Sequence, residues 1–285
     1  MRAVAIVGCG YTGLRLARRF QSLGRPVRGF CNRPQSLEAV AAAGAEAVPL
    51  DLDLPIDRLQ FSGELLYYMV PPAREGARDA RLERFLDQAR GPLERIVYLS
   101  TTGVYGDRQG AWVNEETSPA PQPARAVRRL AAENSVRGGA EARGVSWCIL
   151  RVAGIYGPGR LPLERLRRGE AAISPQEATP TNRIHVEDLA TSCLTAGLAA
   201  AADGRIYNVA DGTEDSLTSY LQRVARIGGL PQPPLISRAE ARERFSESSW
   251  SFLGESRRVD NRRLREELGV ALAYADLDAG IRASL

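Results

Sequence analysis

Residues 2–13 read RAVAIVGCGYTG, a short apolar run followed by three glycines at the spacing Gly-x-Gly-x-x-Gly. The apolar run predicts a buried strand and the amphipathic stretch after it a helix, so the glycines lie at a strand-to-helix turn. There Gly8 permits the tight bend, Gly10 lets the backbone approach a diphosphate, and Gly13 lets the helix pack on the strand. The free N–H groups of the first helical turn favour the anion. The predicted phosphate-binding residues are Gly8, Gly10, Tyr11, Thr12 and Gly13.

Strand-like and helix-like segments alternate along the first half of the chain. The cores of the strand-like runs are apolar without alternation, as expected for strands covered by helices on both faces. This alternation indicates βαβ units with right-handed crossovers, and hence an α/β protein with a Rossmann-type doubly wound parallel sheet. The predicted strands are Arg2–Val7, Val27–Cys31, Ala45–Leu50, Glu64–Val70, Arg95–Thr101 and Val145–Val152, and the predicted helices are Leu14–Leu23, Leu37–Ala43, Arg74–Arg90 and Ala124–Arg143.

The pattern becomes irregular after Gly154, which predicts a smaller C-terminal substrate lobe interleaved with the last elements of the sheet. The expected division assigns residues 1–155 and 184–212 to the Rossmann domain, and residues 156–183 and 213–285 to the smaller lobe. In open sheets of this class, ligands bind beyond the carboxyl ends of the strands. The elements predicted in this half are helices near Leu163–Arg168, Val186–Ala201, Ser216–Ile227 and Asn261–Leu268, and a strand at Arg205–Val209.

The composition, 44% hydrophobic and 25% charged residues, is that of an ordinary globular protein. No apolar run reaches the roughly 18–20 residues that cross a bilayer, and no secretory signal follows Met1, so we expect a cytoplasmic protein with no membrane partner. All 38 basic residues are arginine, which suggests a GC-rich bacterial genome and excludes a catalytic lysine. The charges are scattered rather than gathered into a basic stripe, which argues against binding to nucleic acid.

Cysteine and histidine usage limits the possible chemistry further. The four cysteines contain no Cys-x-x-Cys pair and predict neither a zinc site nor a disulfide framework. With His185 as the single histidine, a Ser-His-Asp triad or a histidine-based metal site is disfavoured, and we expect no bound metal. A structural role is favoured for His185. The cysteines are Cys9, Cys31, Cys148 and Cys193.

The end of the predicted second strand bears on the choice of dinucleotide. Sites that prefer NAD usually carry an acid about 20 residues after the glycine loop, where it binds the ribose 2′-hydroxyl. Here the strand ends in Asn32 and Arg33, and Arg33 could clamp a 2′-phosphate through a bidentate contact. We therefore expect NADP in preference to NAD, unless Arg33 is an ordinary surface arginine. Asp51 and Leu52, after the third strand, are expected beside the adenine.

Motifs along nearly the whole chain resemble those of the extended short-chain dehydrogenase/reductase superfamily, also called the NAD-dependent epimerase/dehydratase family. GCGYTG matches its glycine loop, and STTGVYG at 100–106 resembles its active-site segment on strand five. Later segments resemble the family's strand six, the start of a downstream helix, a further strand and a late helix. These are RVAGIYGPG at 151–159, RIHVEDLA at 183–190, YNVA at 207–210 and VDNRRLREELG at 259–269.

The resemblance implies a catalytic Ser or Thr on strand five and a Tyr-x-x-x-Lys pair on the next helix. Thr101 matches the first and would hydrogen-bond a substrate oxygen. In the family, a Glu commonly follows the Lys by four residues. If Glu133 is that Glu, Arg129 stands at the lysine position and Arg125 at the tyrosine position. Arginine can still bind ribose hydroxyls, but it cannot exchange the proton that the tyrosine handles, because it stays protonated. This departure makes the chain an atypical relative.

The resemblance also implies further contacts with the cofactor and the substrate. Ser100 and the loop Val70, Pro71 and Pro72 are expected at the cofactor. Family members that dehydrate nucleotide sugars carry Asp-Glu after the Thr, whereas this chain has Thr102 and Gly103, which disfavours that reaction. The candidate substrate contacts are Thr102, Tyr105, Tyr156 and Arg160. For Tyr105 and Tyr156, a structural role is the alternative.

Two functions remain open from the sequence. The first is an NAD(P)-dependent oxidoreductase or epimerase acting on a polar small molecule such as a sugar derivative, with Arg125 and Arg129 on one helix face binding an anionic group or the cofactor ribose. The second, motivated by the missing Tyr-x-x-x-Lys pair, is a non-catalytic dinucleotide-binding redox sensor or partner-binding module. A flavin or another nucleotide in the cleft is a third possibility. The resemblance also suggests a homodimer formed through the helices Arg74–Arg90 and Ala124–Arg143.

Overall fold

A seven-stranded parallel sheet forms the centre of the computed structural model, which describes residues 3–247, 250 and 253–285. The sheet order is β3-β2-β1-β4-β5-β6-β7, and every neighbouring pair is parallel. This confirms the predicted Rossmann-type doubly wound fold. The strands are β1 (Val4–Val7), β2 (Val27–Cys31), β3 (Glu46–Pro49), β4 (Glu64–Tyr68), β5 (Leu93–Thr101), β6 (Ser146–Val152) and β7 (Arg205–Val209).

Alternate residues of each central strand bury opposite faces of the sheet, which explains why the strand cores show no apolar–polar alternation. In β1, Ile6 belongs to one core cluster and Ala5 to the other. Helices α1 and α6 cover the first face, and α3 and α4 cover the second. The helices are α1 (Tyr11–Ser22), α2 (Pro34–Ala42), α3 (Ala80–Gln88), α4 (Ala124–Glu141), α5 (Leu163–Arg167), α6 (Val186–Leu198), α7 (Leu217–Ile227), α8 (Arg238–Arg244), α9 (Arg262–Glu266) and α10 (Leu277–Arg282).

A smaller lobe has its own apolar cluster, built around α7 and α10. Every residue of that cluster falls within the segments 156–183 and 213–285. However, Leu264 and Leu268, in and after α9, pack into the core on the sheet instead. The exact segment boundaries of the two lobes therefore stay a prediction. The remaining elements are short strands and 3-10 turns: Leu59–Gln60, Ala89–Arg90, Thr102–Tyr105, Trp112–Val113, Gly154–Tyr156, Ala172–Ile173, Pro180–Thr181, Arg183–His185, Ala200–Ala202, Asp215–Ser216, Leu235–Ile236 and Arg258–Val259.

The helix predicted over Arg74–Arg90 is shorter than expected, because it begins only at Ala80. The Asp79 side chain caps it by accepting a hydrogen bond from the Leu82 N–H at 3.2 Å. Ahead of the cap, Gly76 has φ +84°, which a helix does not accommodate. The residues before Asp79 form a loop, and its first part borders the cleft described below. Elsewhere the predicted bounds differ from the observed ones by a few residues, and Arg2 lies outside the described residues.

Two observed helices, α8 and α10, had no counterpart in the predicted pattern. A capping box starts α8: Ser237 and Glu240 each bind the other's backbone N–H, and the Ser-x-x-Glu spacing was a usable signal. Among the described residues, no helix is long and apolar enough to cross a membrane.

Candidate active site

The glycine loop and the ends of β1, β2 and β4 enclose a cavity of about 340 Å³. It lies at the carboxyl edge of the sheet where the strand order reverses between β1 and β4, the usual ligand position in such sheets. Eight of the predicted cofactor residues line it: Gly8, Gly10, Asn32, Arg33, Asp51, Leu52, Val70 and Pro71. We call this space the dinucleotide cavity.

Two glycines of the loop are required for different physical reasons. Gly8 has φ +83°, and a Cβ there would lie 2.8 Å from Cγ2 of Val70, so any side chain would be strained. A Cβ on Gly10 would meet no atom within 4 Å. Gly10 is also the N-cap of α1 and supplies no capping side chain, which leaves N–H groups of the first turn for an anion. The open space at Gly10 therefore suits a diphosphate.

Arg33 also lines this cavity, and its exposed side chain makes no hydrogen bond or ion pair with the residues that the structure describes. The nearby carboxylates are already engaged. Asp53 pairs with Arg81, whose Nε lies 2.6 Å from Oδ1, and Asp51 accepts the backbone N–H of Asp53 at 2.9 Å. Arg33 is thus available to a ligand phosphate.

A second space of about 470 Å³, here called the substrate cleft, opens between the end of β5, the first turns of α4 and the segment 180–182. It contains the predicted residues Thr101, Thr102, Arg125 and Arg129, together with Pro72. Pro71 lines both spaces, so the substrate cleft adjoins the dinucleotide cavity. The lining residues are Pro71, Pro72, Ala73, Arg74, Thr101, Thr102, Gly103, Arg125, Ala126, Arg128, Arg129, Ala153, Gly154, Pro180, Thr181, Asn182, Glu255 and Arg257.

Thr101 ends β5, where its hydroxyl accepts the Gly103 N–H at 3.2 Å and caps the short 3-10 turn. The same side chain borders the substrate cleft. A capping hydroxyl keeps its own hydrogen as a donor. The hydroxyl can therefore hold the turn and still hydrogen-bond a ligand oxygen.

Arg125 and Arg129 both border the substrate cleft but have different surroundings. Nη1 of Arg129 donates to the Tyr98 hydroxyl and to the Leu99 carbonyl, each at 3.0 Å, so this guanidinium ties α4 to β5. Arg125 is half-buried; burial lowers its pKa, while the charge of Glu255 acts in the opposite direction. Arg125 therefore lies close to an acid that the sequence analysis did not single out.

The sequence analysis missed several lining residues. Glu255 and Arg257 come from the segment between α8 and the strand Arg258–Val259, where no motif pointed to the site. Arg128 neighbours Arg129 on α4 and donates to the Gly76 carbonyl at 2.9 Å. The helical spacing could have identified Arg128, whereas only the folded structure brings Glu255 to the cleft.

Ser100, predicted at the cofactor, lies instead beneath the site. Successive residues of a strand point to opposite faces, so Ser100 points away from Thr101 and toward α4. Its hydroxyl donates to Glu133, which also forms a buried ion pair with Arg151 at 2.8 Å. The two charged side chains are 3% and 4% exposed.

The two tyrosines predicted at the substrate lie in packed interiors and border neither space. The Tyr105 hydroxyl donates to Oδ1 of Asn208 at 2.7 Å. The Tyr156 ring packs edge-on against His185 and Tyr220 in the smaller lobe. Both tyrosines are almost fully buried, so neither hydroxyl reaches the substrate cleft.

Tyr11 and Arg160 contact each other outside the two spaces. The Arg160 guanidinium stacks 3.9 Å from the ring centroid of Tyr11, whose hydroxyl donates to the Pro158 carbonyl at 3.0 Å. These contacts tie the start of α1 to the segment after β6. Thr12 and Gly13 lie in the first turn of α1, and Thr12 is buried.

His185 is buried and caps α6 through its side chain, as the structural interpretation expected. Nδ1 accepts the Glu187 N–H at 3.2 Å, and Nε2 lies 3.2 Å from the Ser284 hydroxyl. Burial lowers the pKa of His185, so the neutral ring that this cap requires is favoured. All four cysteines are free thiols. Within the described ranges, no cluster of three or more His, Cys, Asp or Glu side chains could hold a metal ion.

Comparisons with known proteins agree with this architecture. The model of the NAD dependent epimerase/dehydratase family matches residues 80–210. Protein YeeZ of Escherichia coli is 29% identical, and the alignment covers 97% of each chain. A solved conserved protein of unknown function from Silicibacter pomeroyi is 33% identical, with 99% of this chain and 98% of that chain covered and a TM-score of 0.82.

A more distant solved structure resembles the chain in fold. UDP-glucuronic acid 4-epimerase from Bacillus cereus, solved with UDP-glucuronic acid and NAD, is 16% identical. It covers 99% of this chain and 97% of its own, with a TM-score of 0.72. The glycine loop, the strand order and the matches together show that this chain belongs to the NAD-dependent epimerase/dehydratase family.

Proposed function

We propose that this protein is an NAD(P)-dependent oxidoreductase or epimerase that acts on a polar small molecule. The observation that carries the proposal is the meeting of two spaces at Pro71. One is shaped for a dinucleotide, and the other brings together a threonine hydroxyl and several arginines. An enzyme of this kind must hold a nicotinamide next to the carbon that gives or receives a hydride.

The residues present fit a dinucleotide. The open space at Gly10 and the first turn of α1 would hold the diphosphate. Arg33 and Ser36 would hold the ribose end, and Asp51 and Leu52 border the same end of the cavity. When bound, the cofactor would supply reversible hydride transfer. We infer NADP as the preferred form, because Arg33 makes no ion pair with the described residues.

In the substrate cleft, the chain's own residues would bind and orient the substrate. The Thr101 hydroxyl would hydrogen-bond the oxygen on the reacting carbon and favour the charge that develops there. Among the described residues, five arginines and a single carboxylate line the cleft, so an anionic group on the substrate would be favoured. A sugar derivative is the substrate class that we favour, and the UDP-glucuronic acid bound by the epimerase of similar fold supports it.

Replacing Thr101 with alanine tests this function. Removing one aligned donor at a developing oxyanion costs about 100-fold in turnover, so Thr101→Ala is expected to lower kcat by about that factor. Turnover of a panel of alcohols and carbonyl compounds is measured by absorbance at 340 nm with NADP or NADPH. Turnover of nucleotide sugars is measured by chromatography of the products, because epimerisation leaves the dinucleotide unchanged. Thr191→Ala is the matched control, because that hydroxyl only bonds the Glu187 carbonyl within α6. Equal turnover by Thr101→Ala and wild type would contradict the assigned role.

Replacing Arg33 with alanine tests the cofactor preference. A hydrogen bond to a charged group contributes about 1.5–3 kcal/mol, so Arg33→Ala is expected to weaken NADP binding by about 10- to 100-fold. NAD has no 2′-phosphate, so its affinity is expected to change little. Isothermal titration with both dinucleotides gives the comparison. Equal losses for the two would refute the assignment of Arg33 to the 2′-phosphate.

A second function, a non-catalytic redox sensor, is favoured by one observation. No tyrosine and no lysine border the substrate cleft among the described residues, so the family's usual proton-transfer pair is missing. A sensor would bind NADPH and NADP with different affinities and turn over no substrate. The Thr101→Ala assay therefore separates the two functions.

A further inference from the structure

Hydride transfer to or from an oxygen-bearing carbon needs a group that takes or returns a proton. Arginine cannot serve, because its pKa lies above about 12. Among the described residues that border the substrate cleft, the ionisable side chains are Arg74, Arg125, Arg128, Arg129, Arg257 and Glu255. Glu255 is thus the one ionisable side chain in that lining that is not an arginine and can act as a base.

The Glu255 carboxylate is held in place, and one of its oxygens has no partner. Its side chain is only 10% exposed, and Oε2 forms an ion pair with Arg257. Arg257 is itself fixed by a 2.7 Å hydrogen bond from Nε to the Gly106 carbonyl, just after the turn that Thr101 caps. The other oxygen, Oε1, is buried and has no hydrogen-bond partner among the described residues.

An unpartnered buried acceptor costs roughly 1–3 kcal/mol, so the Glu255 carboxylate gains from any donor that reaches it. Glu255 also lies within electrostatic reach of Arg125, whose pKa is lowered by burial and raised by the Glu255 charge. Arg125 stands where the family resemblance places the proton-transferring tyrosine. The carboxylate therefore belongs to the cleft lining near the expected position of the reacting oxygen.

We propose that Glu255 accepts the substrate hydroxyl proton during oxidation and returns it in the reverse direction. The inference rests on the proposed oxidoreductase function. In the forward direction, the substrate O–H bond breaks and its electron pair forms the second carbon–oxygen bond. The C–H bond breaks with its electron pair, which reduces the oxidised dinucleotide by two electrons. The proton passes to the carboxylate of Glu255, while Thr101 donates to the same substrate oxygen.

Glu255→Gln removes the proton-accepting group and keeps the size of the side chain. General base catalysis contributes about 10²- to 10⁴-fold, so we expect kcat with NADP and the best alcohol of the panel to fall at least 100-fold. The affinity for NADP, measured by calorimetry, is expected to stay within about twofold because Glu255 does not border the dinucleotide cavity. Glu214→Gln is the matched control, since it breaks a Glu–Arg ion pair with Arg258 that lies outside the cleft.

Chemical rescue distinguishes proton transfer from a structural role. Glu255→Ala leaves room for a small carboxylate, and added formate is expected to restore part of the lost turnover. Because formate can also restore the ion pair with Arg257, rescue is repeated with small carboxylates of different basicity. A rescued rate that rises with carboxylate basicity indicates proton transfer, whereas a rate independent of basicity indicates that Glu255 only positions Arg257. The formate response of Glu214→Ala provides the baseline.

A spectroscopic readout does not depend on turnover. With ¹³C-labelled glutamate, the Glu255 carboxyl resonance is identified by its absence in Glu255→Gln. Trifluoroethanol, an alcohol with a strongly donating hydroxyl that resists oxidation, is the probe. Added to wild-type protein loaded with NADP, it is expected to shift this resonance and to leave that of Glu214 in place.

The outcomes separate this proposal from the function on which it rests. Slow turnover by Glu255→Gln, rescue that rises with carboxylate basicity and a shifted resonance support the proton-transfer role. Wild-type turnover by Glu255→Gln, rescue that is absent or independent of basicity, or an unmoved resonance would overturn that role alone. A wild-type protein that binds NADP but oxidises no member of the panel would overturn the oxidoreductase function, and the role of Glu255 with it.

Discussion

Glu133→Ala is expected to lower the free energy of unfolding by about 3–5 kcal/mol, because it leaves the buried charge of Arg151 without its partner. Arg151 is only 4% exposed, and its Nη2 lies 2.8 Å from the Glu133 carboxylate. Burial alone would lower the pKa of Arg151, but hydrogen bonding and the charge of Glu133 raise it above its usual value. The ring of Tyr105 covers the same guanidinium at 4.8 Å. No other carboxylate of the described residues contacts Arg151.

Urea denaturation followed by circular dichroism measures this loss. The matched control is Glu164→Ala, which removes the partner of Arg167 in an exposed ion pair. Exposed pairs contribute less than about 1 kcal/mol, so the control is expected to unfold close to wild type. If Glu133→Ala were as stable as Glu164→Ala, the pair would not hold α4 against β5 and β6, and Ser100 would have to be reconsidered as a cofactor contact.

The seven strands and their layers were predictable because their cause is local. A strand buried on both faces must have an apolar core, as Val4–Val7 of β1 and Leu65–Tyr68 of β4 do, and a helix on one face must be amphipathic. The glycine loop was equally predictable, because Gly8 has a φ angle that other residues rarely adopt. These parts of the site depend on backbone shape, which short stretches of sequence encode.

The rest of the site depends on contacts between distant segments. Glu255 reaches the substrate cleft because Arg257 and Asp107 bind the segment after α8 to the turn after β5. No short sequence pattern predicts these contacts. Tyr105 and Tyr156 resembled site residues because they follow strand ends, yet packing buries both rings. Ser100 and Thr101 are adjacent in sequence, and only the register of β5 decides which one borders the cleft.

Gly10→Ala is expected to abolish most dinucleotide binding while the protein stays folded. Its Cβ would enter the open space at the start of α1, where a diphosphate would approach the backbone. We expect a loss of about 100-fold in affinity, which corresponds to roughly 2.7 kcal/mol. Since the added carbon meets no protein atom within 4 Å, the free energy of unfolding is expected to change by less than about 1 kcal/mol, the usual scale at an N-cap.

Gly8→Ala is the contrasting variant. Its positive φ and the 2.8 Å approach to Val70 strain the folded state, so this variant is expected to lose stability together with binding. The pair of variants therefore separates the glycine that shapes the turn from the glycine that admits the ligand.

Isothermal titration of wild type and Gly10→Ala with NADPH and NADP shows whether the glycine loop binds a dinucleotide. We expect saturable binding of one dinucleotide per wild-type chain, and binding about 100-fold weaker to a Gly10→Ala protein that melts near the wild-type temperature. Equal affinity in the two proteins, or no binding of either dinucleotide to wild type, would contradict this expectation.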